Sequence, residues 1–552
     1  MRRMILSALG FSLVSLTAVA GDDWPQFRGP NGSASSTGTQ APDKWGVDKN
    51  IAWKAKLPGY GWSSPIVWGD RVFLTTAVSD KQRKPAPGFG GPGEFGGGRP
   101  GGGRPGGGRP GGGGPGGMFP GFAPPGEIMP GSLQGMLHLT DDQKKQLDEL
   151  QKEADAKLAE ILNDEQKKQI KDMRDNARRG GFGGMQKPPD AVYKLEVYCL
   201  DRASGKVLWK QVAFEGKPHI PTQASNTYAT ETPITDGERV YAYFGMHGVY
   251  CYDRDGKLLW YKNLGSYPTA MGHGTGSSPA LADGRLFIQC DNEQKSFLVA
   301  LDAKTGAELW RVDRQERTSY STPFVWKNKV RTEVVCVGSP RVRSYDPETG
   351  KQLWELGGMT GQAKASPAAS EELLYVGSGG GFGGGGGGRG GPGGAGGFGS
   401  NGNRPLIAVK AGASGDITLK NGTASNDGIA WRQPKAGPQT ASPLLYKGYL
   451  YILDEHGGYL SCCDAKTGEQ AYKERLPGAR GFTSSPCAAD DKVFCLDDGG
   501  TTYIVQAGSA FKLQGKNTLD EMCWSSPAVA GHALFLRSVD HLFCIKDKQE
   551  EK

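Results

Sequence analysis

Asp302-Ala-Lys-Thr-Gly306-Ala-Glu-Leu-Trp310 is one copy of a phrase that recurs along this chain. Other copies are Asp201-Arg-Ala-Ser-Gly205-Lys-Val-Leu-Trp209, Asp253 to Trp260, and Asp346-Pro-Glu-Thr-Gly350-Lys-Gln-Leu-Trp354. Asp464-Ala-Lys-Thr-Gly468 ends on Tyr472 in place of Trp, and a degenerate copy has Lys410 at the Asp position and Trp431 after a longer loop. The phrase reads as a hairpin. A strand ends at Asp, whose carboxylate caps the turn, Gly supplies the positive φ of a tight turn, and the next strand carries one large aromatic.

Upstream of most copies stands a second mark, a Ser or Thr followed by Pro that opens an apolar stretch. It occurs at Ser64-Pro65, Thr232-Pro233, Ser278-Pro279, Thr322-Pro323, Ser366-Pro367, Ser442-Pro443, Ser485-Pro486 and Ser526-Pro527. Uninterrupted neighbours are 41 to 46 residues apart. Between the two marks lie two further strand signals with a turn, such as Ile-Thr-Asp236-Gly237-Glu-Arg-Val-Tyr-Ala-Tyr. Four short strands per period predict an all-β, eight-bladed β-propeller of four-stranded blades. Eight blades need roughly 340 residues, which the 552-residue chain supplies once its leader and insertions are set aside. Ile51-Ala-Trp53-Lys looks like a fourth, Trp-bearing strand that precedes the first Ser-Pro, while His541-Leu-Phe-Cys-Ile-Lys stops at a third strand. The N-terminal strand is therefore expected to complete the last blade, leaving no open edge in the ring. The propeller is assigned to residues 21–79 and 191–547.

Met1-Arg-Arg-Met, the apolar run Ile5 to Ala20 and Ala18-Val-Ala20 before Gly21 read as a signal peptide over 1–20, directing export to the periplasm or beyond. No later segment is apolar enough to span a membrane. The net charge of +7 is modest for this length and gives no case for nucleic acid as a partner. Ten cysteines in an exported chain raise disulfides. Cys199, Cys251, Cys462 and Cys544, however, share one repeat position with Ala300, Ser344 and Ala408, so the slot asks for a small buried side chain, and free thiols are expected.

Residues 80–190 interrupt the first blade. Their glycine- and proline-rich flanks, with Arg99-Pro100, Arg104-Pro105 and Arg109-Pro110, cannot bury a core. Within them, about 139–179, Thr140-Asp-Asp-Gln143 is a capping box followed by Leu147, Leu150, Ala154, Leu158, Ile161 and Leu162 at helical spacing, and Asn163-Asp-Glu-Gln166 reads as a second cap before Ile170 and Met173. This predicts a helical hairpin, a short coiled-coil arm whose apolar stripe suits docking to a protein partner or to the propeller itself. A glycine tract over 379–404 interrupts the fifth blade as a disordered loop without the Lys-Ser/Thr of a phosphate cradle.

At Ala300-Leu-Asp302-Ala-Lys-Thr-Gly306-Ala-Glu-Leu-Trp310 the repeat resembles the tryptophan-docking repeat of quinoprotein-type propellers, the pyrroloquinoline-quinone (PQQ)-like family. The opening Asp23-Trp-Pro-Gln-Phe-Arg-Gly-Pro-Asn31-Gly resembles the lead-in of exported PQQ-like proteins of planctomycete-type bacteria, and Leu139-Thr-Asp-Asp-Gln143 resembles the Leu-Thr-x-x-Gln repeat of Spy-type periplasmic proteins, from which the second copy departs at Asn163. The PQQ-like resemblance implies that Trp53, Trp209, Trp260, Trp310, Trp354 and Trp431 dock between neighbouring blades. It also implies two functional kinds, a dehydrogenase of alcohols or sugars with PQQ and calcium, or a cofactor-free scaffold like the assembly lipoprotein of the outer-membrane Bam complex. Fold does not choose between them.

A calcium site needs several oxygen ligands and a carboxylate base. Three residues before each proline stand Trp62, Thr230, Gly276, Tyr320, Lys364, Thr440, Thr483 and Trp524, which should ring one channel mouth, with Glu231, His273 and Arg480 close in sequence. Trp62, Thr230, Glu231, His273, Tyr320, Lys364, Arg480 and Trp524 are the candidate ligand-contacting set, and the alternative is a mouth plugged by its own side chains. Glu231 is the single carboxylate among them, the seven histidines lack metal-ligand spacing, and no Cys-x-x-Cys-His can hold a haem. Cys462-Cys463, an adjacent pair of the kind many quinoproteins place beside the cofactor, lies in a predicted strand. The expectation is an exported scaffold that binds protein partners without catalytic residues, metal or cofactor, with PQQ- and calcium-dependent dehydrogenation as the competing function.

Overall fold

The computed structural model describes residues 23–82, 84–85, 128–129, 139–163, 166–167, 187–359, 361, 363–379, 404–420 and 422–547. The leader, most of the insertion and most of the glycine tract lie outside the described residues. Eight antiparallel sheets follow one another in the chain. Blade 1 is Ile66–Trp68, Arg71–Val78, Tyr193–Asp201 and Val207–Gly216, so the 80–190 insertion leaves between its second and third strands. Blades 2 to 7 occupy 234–262, 280–314, 324–356, 368–433, 444–475 and 487–518. Blade 8 takes Ala528–Ala530, Ala533–Arg537 and His541–Ile545, and its outermost strand is Ile51–Lys56, paired antiparallel with His541–Ile545. The first strands contact one another around the axis, and that of blade 1 meets those of blades 2 and 8. The chain is an all-β, eight-bladed propeller of four-stranded blades closed by its N-terminal strand.

The Ser/Thr-Pro phrases close this ring chemically. The backbone N–H of Ser64 donates to Thr232 Oγ1 at 2.9 Å, that of Thr232 to Ser278 Oγ at 2.9 Å, and that of Ser278 to Thr322 Oγ1 at 3.1 Å. The chain of bonds continues from Thr322 to Ser366, Ser366 to Ser442 and Ser442 to Ser485, each at 2.9 Å. Ser485 donates to Ser526 Oγ at 3.0 Å, and Ser526 returns to Ser64 Oγ at 3.1 Å. The innermost strands are two to four residues long and have few ladder bonds of their own. Each therefore meets its neighbour through a hydroxyl, the one short acceptor that leaves room at a crowded axis. Proline follows because that residue needs no N–H partner.

The Asp-Gly-Trp phrases hold the outer ring. Asp302 accepts from the Thr305 N–H at 2.8 Å and the Thr305 hydroxyl at 2.7 Å, which closes the turn and holds its carboxyl below the usual range. Gly306 follows at φ +71°, and a Cβ there would lie 2.6 Å from the Trp260 ring of the preceding blade. Gly205 faces Trp53, Gly256 faces Trp209, Gly350 faces Trp310 and Gly468 faces Trp431 in the same way. Each indole also donates to a carbonyl of that next turn, as Trp260 does to Ala303 O at 3.1 Å and Trp53 to Arg202 O at 2.9 Å. Trp354 differs. Blade 5 offers no Asp-Gly turn, and the Trp354 indole donates to buried Glu333 at 2.6 Å while its ring packs with Leu374, Ile407 and Val409 of blade 5. Gly306→Ala is expected to cost about 1–2 kcal/mol from the left-handed backbone alone, read as a lower urea midpoint. An unchanged midpoint would show that the Trp260 ring moves aside freely.

The small slot shared by Cys, Ala and Ser lies directly across from the docking aromatic. Cys199 pairs with Trp209, Cys251 with Trp260, Ala300 with Trp310, Ser344 with Trp354, Ala408 with Trp431, Cys462 with Tyr472 and Cys544 with Trp53. All ten cysteines are free thiols and nine are buried. Burial pushes the Cys199 and Cys251 thiols up to about 12, which leaves them unreactive.

In the insertion, helix α1 (Asp141–Ile161) starts with a reciprocal capping box. Thr140 accepts from the Gln143 N–H, and the Gln143 side chain accepts from the Thr140 N–H at 2.9 Å. Asn163 and Gln166 repeat the arrangement, the Gln166 N–H reaching Asn163 Oδ1 at 2.9 Å. The expected second helix beyond residue 167 lies outside the described residues. Leu150 and Ile161 on α1 are exposed. No described helix is long and apolar enough to cross a membrane.

Candidate functional site

The propeller axis has two ends, and they are built differently. The chain fills one of them with its own N-terminal segment. Trp24 bridges Val67 of blade 1, donating to its carbonyl at 2.7 Å and accepting from its N–H at 2.9 Å. Pro25 O accepts from Thr235 of blade 2 at 3.0 Å. The Arg28 guanidinium donates to Pro367 O of blade 5 and Pro443 O of blade 6. Gly32 lies against Phe324 of blade 4, and Ala34 O accepts from Ala488 of blade 7 at 2.9 Å. Residues 24–36 thus form a plug that ties six blades together. Sharp reversals make it compact, with positive φ at Arg28, Gly29, Asn31, Gly32 and Ala34.

The other end is lined by the residues just upstream of each Ser/Thr-Pro. Trp62 and Trp524 meet there with ring centroids 5.2 Å apart. The Trp62 indole donates to Ser225 O at 2.9 Å, whereas Trp524 Nε1 has no partner among the described residues. The Thr230 hydroxyl donates to Asn226 Oδ1 at 2.6 Å, and Asn226 Nδ2 donates to His273 O at 2.9 Å. Gly276 sits between Thr230 and Tyr320. The Tyr320 hydroxyl has no partner among the described residues, and burial, aided by Glu293, pushes it above its ordinary value. Lys364 reaches Glu455 and the Thr440 hydroxyl, each at 3.3 Å. Burial, and next the Lys364 ammonium, lower the His273 imidazole. Arg480 is exposed and, among the described residues, joins the network through its carbonyl, which accepts from the Gly457 N–H.

Glu231 is placed apart from this ring. It stands one residue closer to the proline than the ring members, and a strand turns alternate side chains to opposite faces. Its carboxyl is 2 % exposed and hydrogen-bonds Thr275 beside Tyr243, between blades 2 and 3, with Oε1 unpartnered. Burial raises it to about 7. The carboxylates at the mouth come instead from the turns between second and third strands. Glu455 is held low, against the cost of its burial, by Lys364 and His456, and Asp498 is raised to about 7 by burial while it accepts from the Thr483 N–H at 2.9 Å. These were missed in the sequence. Aligning Asp454-Glu455-His-Gly-Gly458 with Asp497-Asp498-Gly-Gly500 across repeats would have exposed them.

The residues do not fit a PQQ–calcium centre. Among the described residues no group of three or more His, Cys, Asp or Glu is placed to hold a metal ion. The carboxylates at the mouth are engaged by Lys364 and Thr483, and Glu231 faces a threonine. Cys462 and Cys463 point to opposite faces of their strand, one packing with Tyr451 and Tyr472, the other with Trp431. A cavity of about 20 Å³ near this end is bounded by Tyr243, Thr275, Gln289 and Asn292, and one of about 60 Å³ lies beside the plug. A small-molecule pocket is about 300–1,000 Å³.

Among known proteins, the family model PQQ_2, described as outer membrane protein assembly factor BamB, matches residues 245–387. No curated protein matches the chain. Similar solved structures include BamB from Moraxella catarrhalis, 12% identical over 63% of this chain and 88% of that one, with a TM-score of 0.43. The quinohemoprotein alcohol dehydrogenase from Comamonas testosteroni is 11% identical over 66% and 75%, with a TM-score of 0.42. A europium-containing methanol dehydrogenase is 13% identical over 55% and 73%, with a TM-score of 0.37. The Asp-Gly-Trp phrases of blades 2, 3 and 4 fall within the residues that the family model matches.

Proposed function

We propose that this chain is an exported propeller that binds protein partners on its outer surface as a scaffold, without a cofactor in its channel. The observation that carries the reading is the contrast between the channel and the rim. The axis is plugged by residues 24–36 at one end and lined by a Trp62–Trp524 pair and its own hydrogen-bond network at the other. The outermost strands of blades 1 to 3, by contrast, display Val207, Leu208, Val212, Leu258, Leu259, Tyr261 and Leu309, each 43 to 52 % exposed. Apolar side chains on unpaired edge strands suit an extended peptide added as a further strand, with backbone hydrogen bonds giving affinity and alternate side chains giving selectivity. Blade 4 shows the same geometry already used internally, because Gly415–Asp416 pairs in parallel with its outermost strand, Gln352–Leu356.

The test places photo-crosslinking residues at positions 208 and 258 in the full chain, in its exporting host. A discrete partner is expected from both positions, and its yield should fall at least tenfold when Leu259→Lys and Val212→Lys are introduced. In parallel, purified protein is titrated with PQQ and calcium ion. Saturable PQQ binding with dye-linked oxidation of alcohols or sugars would overturn the scaffold reading.

A further inference from the structure

We propose that the cavity between the N-terminal plug and blades 3 and 4 is a binding site for a small tetrahedral oxyanion of the phosphate or sulfate class, taken as the free inorganic ion. The cavity, about 60 Å³, has polar walls from Gln26, Arg28 and Asn31 of the plug, from Thr322 and Lys327 of blade 4 and from Ser366 of blade 5, with no carboxylate in its lining. The rest of the lining is apolar, from Phe27, Leu281, Phe324 and Val325 among others, so the polar groups are two cations, two amides and two hydroxyls without an acid, a set that favours an anion.

Arg28 supplies the strongest part of the argument. Its guanidinium is buried, has no carboxylate partner among the described residues, and leaves Nε without an acceptor while the two terminal nitrogens hold Pro367 O and Pro443 O. Burial without a counter-charge lowers it to about 9. Arg314, also fully enclosed, sits on Asp291 at 2.8 Å, whereas Arg537 of blade 8 is, like Arg28, buried without a carboxylate partner among the described residues and donates to Ser63 O at 2.9 Å; Arg28 differs from Arg537 in lining a cavity. An unpaired buried charge costs several kcal/mol unless an ion or a hydrogen-bonding network compensates it.

Two hydroxyls of the axial ring also border the cavity. Thr322 and Ser366 each accept a backbone N–H and, like the other ring hydroxyls, donate to no acceptor among the described residues. Their O–H groups are free to donate into the cavity. Lys327 is exposed at its rim and has no ion-pair partner among the described residues, so it can meet an anion on entry. A water needs about 10–15 Å³ of such volume, so the space suits about four or five heavy atoms, a free tetrahedral ion and not a headgroup carrying a glycerol.

The experiment is isothermal titration of the full chain with inorganic phosphate at fixed ionic strength, repeated with sulfate and with glycerol phosphate. Saturable one-to-one binding of phosphate or sulfate is expected, weakened at least tenfold in Lys327→Glu and in Gln26→Glu. Lys327 is exposed, so that variant keeps its fold, and an unchanged thermal midpoint in ion-free buffer verifies this. The absence of saturable heat, wild-type affinity in both variants, or glycerol phosphate binding as tightly as phosphate would each overturn the proposal.

Discussion

Trp24→Ala is expected to lower the unfolding free energy by about 3–5 kcal/mol, the range for truncating a large aromatic at a site that cannot collapse. Trp24 is fully buried in the cluster that joins blades 1, 7 and 8 through Val67, Val72, Cys487 and Leu534. Its ring lies directly against Gly29, where a Cβ would come within 2.5 Å. Removing the indole therefore frees both the blade contact and the reversal that aims Arg28 at blades 5 and 6. The measurement is a urea transition followed by fluorescence, with Trp209→Ala as the comparison, because Trp209 is only half-buried and packs on Phe73, Tyr252 and the Gly256 turn without joining further blades. The Trp24 variant should show the larger loss. Equal midpoints for wild type and Trp24→Ala would mean that the plug does not stabilise the ring.

The blades were legible because each is written in local sequence, with strands, turn glycines and docking tryptophans all within about 45 residues. The Cys, Ala and Ser slot was legible for the same reason, since it is fixed by the aromatic across one hairpin. The hydroxyl ring was half legible. Ser64 and Ser526 stand out as repeated residues, but their bond to each other spans 462 positions, and only closure of the whole ring makes it. The plug was not legible as a plug. Arg28 finds its acceptors 339 and 415 residues away, and nothing near Arg28 in the sequence announces them. At the channel mouth, counting back from each proline placed Trp62, Thr230, Tyr320, Lys364 and Trp524 on a common ring. It also put Glu231 beside them in sequence, where the two-residue period of a strand sends it between blades instead. The carboxylates that do reach the mouth, Glu455 and Asp498, come from turns whose composition reads only as punctuation.

Glu231 carries the second large prediction. Seven blades place Ser or Ala at its position, at Ser63, Ser277, Ser321, Ala365, Ala441, Ser484 and Ser525, and blade 2 alone buries a carboxyl there. Burial raises it from 4.5 to about 7, so the folded protein holds a proton that the unfolded chain releases near pH 4.5. The folded state binds more protons throughout that window, and stability from this group falls as pH rises from about 4.5 to about 7, then levels. At roughly 1.4 kcal/mol for each tenfold change, the difference amounts to about 3 kcal/mol. Glu231→Gln removes the titration while keeping the shape. The variant's stability relative to wild type should therefore climb by about this amount between pH 4.5 and pH 7 and stay constant from pH 7 to pH 9. Comparing the two proteins at each pH cancels groups of opposite sign, such as His247, which burial lowers to about 4 and which weakens the fold as pH falls below its unfolded value. A pH-independent difference would show that Glu231 ionises at its ordinary pH, and hence that water or a cation reaches the unpartnered Oε1 between blades 2 and 3.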